Sequence, residues 1–84
     1  MIVPTVGRSL YYSPLPGEKL YDHDQPWMGF LCHLNSDQTI NMLVLNESGM
    51  AVQKSHLTLA QDREPLPGEA YWMPYQVKTA EKSV

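Results

Sequence analysis

The chain has 84 residues, of which 43% are hydrophobic and 18% charged, a composition typical of a folded globular domain that excludes intrinsic disorder. Six basic against nine acidic residues give a formal net charge of −3, and no basic cluster is present, which disfavours duplex nucleic acid as a partner. A chain of this length builds one core. We therefore expect a single domain over residues 1–77, followed by a flexible tail over residues 78–84.

The first half of the chain predicts two strands separated by a long loop. Residues 6–12 are the first predicted strand, in which Val6, Leu10 and Tyr12 share one face. Residues 13–26 contain three prolines, which exclude a central strand. Residues 27–34 are the second predicted strand, and their alternation places four apolar side chains on the expected core face: Met28, Phe30, Cys32 and Leu34.

The second half predicts three further strands and no substantial helix. Strands over residues 39–46 and 50–57 each follow a cluster of turn residues, so the second to fourth strands form a meander. Residues 70–73 are aromatic and precede Pro74, which predicts a short last strand. The predicted fold is an all-β, small five-stranded antiparallel SH3-like barrel or roll.

A pentapeptide occurs twice, as Pro14-Leu15-Pro16-Gly17-Glu18 and as Pro65-Leu66-Pro67-Gly68-Glu69. In a type II turn the two central positions favour Pro first and Gly second. We interpret both copies as type II turns and not as a binding motif.

Strand three has more apolar surface than one core needs. Leu43 and Leu45 lie on its second face, and Trp27 and Leu31 extend this patch from strand two. Barrel closure and a homodimer would both cover it, and the homodimer is favoured because isologous pairing is the commonest assembly. The predicted oligomer interface is therefore Trp27, Leu31, Leu43 and Leu45.

No catalytic or metal-binding motif is present. Cys32 and His33 are adjacent on a predicted strand, so they point to opposite faces and cannot form a dyad. His23, between Asp22 and Asp24, matches no established zinc or calcium loop. We expect a protein that is not an enzyme and that has no cofactor or metal.

The single cysteine excludes an intramolecular disulfide and favours a reducing compartment. The N-terminus lacks the pattern of a signal peptide, and no segment approaches the ~18 apolar residues of a membrane span. We therefore expect a cytoplasmic protein without membrane contact.

Tyrosine and tryptophan account for seven of the eight aromatic residues, and both types are common at interfaces. With a cation beside them, such rings could hold a nucleobase and a phosphate, although they could also simply cap a thin barrel. The candidate residues for ligand or partner binding are Arg8, Tyr11, Tyr12, Tyr21, Trp27, Tyr71 and Trp72.

Four short motifs occur in order along most of the chain. They are Pro4-Thr5-Val6-Gly7-Arg8 before Leu10-Tyr11-Tyr12; Gly29-Phe30-Leu31-Cys32-His33-Leu34; Asn41-Met42-Leu43-Val44-Leu45-Asn46 before Gly49; and Gly68 followed by Trp72 and Pro74. This order resembles a group of small proteins encoded by tailed bacteriophages and prophages. The last motif has one extra residue between its glycine and its tryptophan. The resemblance implies a phage origin and a small β-barrel, but no activity and no ligand residues.

Three functions are consistent with this sequence. The leading hypothesis is a phage accessory protein in the host cytoplasm that captures a host protein, such as a defence component, through an edge strand or an aromatic patch. Its acidic charge favours a basic partner surface. The alternatives are an oligomeric sponge for a small nucleotide second messenger, bound by Arg8 and aromatic rings, and a structural protein of the virion.

Overall fold

The computed structural model describes residues 1–82 and consists mainly of one curved sheet. Six strands lie in the order β4-β3-β2-β1-β6-β5 and nearly close into a barrel. The elements are β1 (Ser9–Tyr12), β2 (Trp27–Leu34), β3 (Ile40–Leu45), β4 (Ala51–Leu57), β5 (Leu59–Ala60), β6 (Ala70–Tyr71) and α1 (Pro74–Lys82). The prediction of a small all-β barrel is confirmed, with six strands instead of five. Among the described residues, no helix has the length and apolarity needed to cross a membrane.

The three-stranded meander is present as predicted, whereas the first strand is shorter. β1 begins at Ser9 because Val6 and Gly7 lie in a turn, where Gly7 has a φ of 94°. Val6 is consequently 64% exposed and does not join Leu10 in the core. Glycine adopts this backbone conformation without the steric cost that a side chain would bring.

Two elements were not predicted. β5 has only two residues, which are too few for a pattern of alternation to reveal, and it pairs in parallel with β6. Helix α1 begins at Pro74, since proline suits the first turn of a helix. The Gln76 side chain accepts a hydrogen bond from the Met73 backbone N–H and donates one to the Ser9 carbonyl, which fixes α1 against β1. The predicted tail starts within this helix, and its last two residues lie outside the described part.

The core lies on the concave side of the sheet. Its buried side chains include Leu10 and Tyr12 from β1, as their alternation predicted, and Ile40, Met42 and Val44 from β3. For β2 the predicted core face is wrong. Trp27 and Leu31 are buried, whereas the four side chains expected inside are partly or largely exposed: Met28, Phe30, Cys32 and Leu34.

The strand pairing explains this inverted face of β2. Residues directly opposite one another in a sheet point to the same side. Gly29 is paired with Leu10 on one side and with Val44 on the other, both of which are fully buried. Gly29 must therefore face the core, and every second residue of β2 before the bulge at Cys32 faces it too.

A bulge interrupts one edge of the sheet, and the N-terminal segment lies near the other. Along β4, Ser55 and His56 together oppose the single residue Asn41, which forms a bulge, and the Asn41 side chain accepts the His56 backbone N–H. Beyond β5, the Gln61 amide bonds to the backbone N–H and C=O of Ile2, which places the N-terminal segment beside this edge. Bulges and covering segments are established ways of blocking an exposed edge.

Candidate functional site

The convex side of the sheet carries an apolar surface of exposed and half-buried side chains. Tyr71, Tyr11, Met28 and Leu45 are neighbours in one row across four strands. Phe30 and Leu43 are paired in the next row and are 43% and 37% exposed. We call these six residues the outer face: Tyr11, Met28, Phe30, Leu43, Leu45 and Tyr71.

The residues that complete these rows are small or polar but uncharged. Ser9 is paired with Phe30, while Gln53 and Ala51 are paired with Leu43 and Leu45. The Tyr11 and Tyr71 rings are 5.5 Å apart and tilted by 60°, an arrangement typical of aromatic pairs. Burial, with smaller effects of Tyr11 and Glu64, raises the pKa of the Tyr71 hydroxyl, which stays protonated at neutral pH.

Half of the predicted oligomer interface lies on this surface. Leu43 and Leu45 are on the outer face, as expected. Trp27 and Leu31 are only 4% and 1% exposed because the inverted face of β2 places them in the core, so their assignment to an interface is wrong. The alternation within β2 could not show this, since both of its faces are apolar.

The seven predicted binding residues do not converge on one site. Arg8 lies over the Trp72 ring at 5.3 Å, and Tyr11 contacts Tyr71. Tyr12 and Trp27 contact each other inside the core, with ring centroids 5.7 Å apart, so they have no surface to offer a partner.

Tyr21 stands apart from the other six, beside His23 at 5.3 Å. It is 63% exposed and belongs to the long loop. The binding prediction therefore separates into the outer face, the Arg8–Trp72 pair and this loop tyrosine, while Tyr12 and Trp27 are core residues.

A partly buried polar cluster joins the long loop to β4. Glu18 accepts hydrogen bonds from the Tyr12 hydroxyl at 2.6 Å and the Leu15 backbone N–H at 3.0 Å, and it forms an ion pair with Lys54. Burial alone would raise the pKa of Glu18, but hydrogen bonds from Lys54 and Tyr12 outweigh it and lower the pKa. The pKa of Tyr12 is raised by burial and by its bond to Glu18. The groups of the cluster thus satisfy one another, and their arrangement is structural.

A second cluster joins the long loop to the β3–β4 turn. Nε2 of His23 lies 2.5 Å from Glu47 Oε2, and both side chains are nearly buried. Nδ1 of His23 accepts a hydrogen bond from the Gln25 backbone N–H. The ring proton is therefore on Nε2, which donates a hydrogen bond to Glu47. The indole of Trp27 also acts on the Glu47 carboxylate, although neither Trp27 Nε1 nor Glu47 Oε1 has a partner at hydrogen-bond geometry.

The electrostatic consequence of this second cluster is large. Burial would raise the pKa of Glu47, but the hydrogen bond from His23, the backbone N–H groups and the nearby indole of Trp27 lower it to about 2. A carboxylate held in this way is a structural anion and not a general base near neutral pH.

The two copies of the pentapeptide form similar turns. The Glu69 carboxylate accepts the Leu66 backbone N–H, as Glu18 does for Leu15, and each glutamate binds a cation. Gly68 has a φ of 89°, as a type II turn requires, whereas Gly17 does not have a positive φ. The type II prediction therefore holds for the second copy only.

A cleft of about 410 Å³ lies between the turn before β1 and helix α1. It is lined by Ile2, Gly7, Arg8, Ser9, Tyr75, Gln76 and Thr79. Tyr75 is 60% exposed, and Thr79 donates a hydrogen bond to the Tyr75 carbonyl. No pattern in the sequence indicated this cleft, because helix α1 itself was not predicted.

The described residues contain neither a metal-binding cluster nor a cysteine placed beside a catalytic base. No group of three or more His, Cys, Asp or Glu residues is placed to hold a metal ion within residues 1–82. Cys32, expected in the core, is exposed beside the bulge in β2.

Comparison of the chain with protein-family models, with curated proteins and with solved structures gives no match in any of the three.

Proposed function

We propose that this chain is a non-catalytic binding protein that captures a protein partner stoichiometrically through the outer face. The observation that carries the proposal is the continuous, uncharged aromatic and aliphatic surface formed by the outer face. Contiguous exposed apolar patches are uncommon on soluble monomers and are typical of interaction sites. Depletion of charge with enrichment of aromatic residues and Met is the composition of an interface core.

The face, and not an edge of the sheet, is the proposed contact surface. The bulge in β4 and the N-terminal segment beside β5 oppose the addition of a partner strand at either edge. The partner we propose therefore docks an apolar surface on the outer face. None of the six side chains of the outer face is charged, so the acidic net charge does not select the partner through these residues.

The biological setting is also part of the proposal. The order of sequence motifs resembles that of small phage proteins, which supports a phage accessory protein acting on host machinery in the host cytoplasm, for example against a defence component. A structural role in the virion is the alternative, and it differs in requiring the chain to be present in purified particles.

Site-specific photocrosslinking in bacterial cells tests the proposal. A photoreactive phenylalanine analogue at Phe30 replaces one aromatic side chain of the outer face with another. The same analogue at Leu66, which is 61% exposed in the second pentapeptide turn, is the matched control. We expect position 30 to give one dominant protein adduct that position 66 does not give.

The loss-of-contact variant completes this test. Replacing Phe30 and Leu43 by Ser should abolish co-purification of the crosslinked protein, while Leu66→Ser should leave it unchanged. Equal adducts from positions 30 and 66, or full retention of the partner by the double variant, would refute the proposal.

A further inference from the structure

Arg8 differs from the other described arginine in having no acidic partner. Arg63 forms two hydrogen bonds to Glu69, at 2.7 and 2.9 Å. Within residues 1–82, no carboxylate lies at ion-pair distance from Arg8, and its defined side-chain contact is the Trp72 ring. In a chain with more acidic than basic residues, an arginine left unpaired in a cleft can accept an external anion.

The contact with Trp72 prepares Arg8 for such a ligand. Trp72 is 5% exposed and is therefore held firmly by the core, and the guanidinium lies over its ring at 5.3 Å. A guanidinium attracted to a ring face in this way still has N–H groups available for two parallel hydrogen bonds to an anion. Less side-chain freedom is then lost when an anion binds.

The walls of the cleft supply an aromatic ring and a hydroxyl group. Ser9 and Tyr75 line the cleft together with Arg8, and the Tyr75 side chain is largely exposed. Gln76 is buried, and both ends of its amide are engaged, so it positions α1 and does not bind a ligand. A volume of about 410 Å³ lies within the usual range for small-molecule sites.

We infer that this cleft binds a small phosphate-bearing molecule with a planar ring, in which Arg8 pairs with the phosphate and Tyr75 stacks on the ring. Arginine matches phosphate oxygens with two parallel charge-assisted hydrogen bonds. Base stacking on an aromatic side chain tolerates many ring types, so the chemical class and not one compound is assigned. Neither Arg8 nor Tyr75 belongs to the outer face, so this inference is independent of the proposed protein partner.

Titration of the full chain with adenosine monophosphate, inorganic phosphate and adenosine tests the inference. Binding is followed by calorimetry and by the arginine Nε–H and indole N–H resonances at low ionic strength. We expect adenosine monophosphate to bind more tightly than phosphate, and adenosine to bind at least tenfold more weakly than adenosine monophosphate.

Four variants identify the residues responsible. Arg8→Gln should weaken adenosine monophosphate binding by about tenfold or more, because a charge-assisted pair is lost. Tyr75→Ala should weaken adenosine monophosphate without affecting inorganic phosphate. Arg63→Gln removes the same charge from a paired arginine and should change binding by less than about twofold. Arg8→Lys keeps the charge but loses the planar fork, so intermediate binding is expected, and it serves as the test if Arg8→Gln fails to fold.

Three outcomes would overturn the inference. The first is that adenosine monophosphate does not bind at millimolar concentration. The second is that folded Arg8→Gln, or Arg8→Lys if the former does not fold, binds adenosine monophosphate as tightly as the unchanged chain. The third is that adenosine binds as tightly as its monophosphate. None of them bears on the outer face, whose partner is measured by a different assay.

Discussion

Charged side chains in this protein mainly hold loops onto the barrel. Glu18 and Glu69 each bind a backbone N–H within their own turn and a cation from elsewhere in the chain. Only Glu18 also accepts a hydroxyl from the core, that of Tyr12. The repeated pentapeptide made two similar turns foreseeable. The cation of the first turn could not be foreseen, because Lys54 lies 36 residues from Glu18 and only the folded chain brings them together.

The lowered pKa of Glu47 predicts that the folded protein loses stability in acid. Its pKa is lowered from an ordinary 4.5 to about 2 by His23 and the N–H groups around it. The depressed value means that Glu47 stabilises the fold above pH 4.5 and that this contribution disappears as the pH falls toward 2. Replacement by Gln removes the titrating group and should therefore reduce the drop in melting temperature between pH 7 and pH 3.

Thermal unfolding followed by circular dichroism at both pH values measures this effect. Asp24→Asn removes a carboxylate from an exposed residue next to His23 in the long loop and should leave the acid-induced drop as large as in the unchanged chain. An equally steep drop in Glu47→Gln would contradict the assignment.

At the level of elements, the boundaries of the meander followed from sequence, whereas the orientation of β2 did not. Alternation identifies a strand, but it identifies the buried face only when the other face is polar. Both faces of β2 are apolar, so its orientation depends on its pairing with Leu10 and Val44, which is long-range information. For the same reason the sequence did not place Met28 and Phe30 on the outer face, although it predicted its other four residues as interface or binding residues.

Gly29 is the residue through which the orientation of β2 can be tested. A Cβ atom at this position would lie 2.2 Å from the Leu43 carbonyl oxygen and 2.9 Å from the Val44 Cα, so backbone atoms of β2 and β3 would have to separate. Gly29→Ala should lower the free energy of unfolding by about 2 kcal/mol or more, as overpacking of a tight core does.

Gly17→Ala is the matched control for this prediction. An added Cβ at Gly17 meets nothing within 4 Å, and its φ is not positive. Chemical denaturation of both variants should show the loss for Gly29 alone. A Gly29→Ala protein as stable as the unchanged chain would contradict the close approach of β2 to β3.

For the molecule as a whole, the uncharged outer face predicts weak self-association. In a twofold contact each residue of the face meets a residue of the same face on the other copy, and none of the six side chains is charged, so no like-charge repulsion opposes the contact. Six residues with three uncharged neighbours are far fewer than the roughly 20–30 residues on each side of a standard interface. We therefore expect a homodimer that forms only at high concentration and, lacking ion pairs, depends little on salt.

Sedimentation equilibrium from about 10 µM to 1 mM, the range in which so small an interface would dissociate, measures this association. The mean mass should rise from the 9.6 kDa of one chain toward twice that value, equally at low and high salt. Phe30→Ser should keep the mean mass near that of one chain. Leu66→Ser also replaces an apolar residue, but one outside the outer face, so the mean mass of this variant should still rise with concentration. A mass that stays at one chain throughout, or association that survives Phe30→Ser, would exclude the outer face as a contact between copies. Capture of another protein by that face would remain measurable by crosslinking, since it requires only that the surface be uncovered.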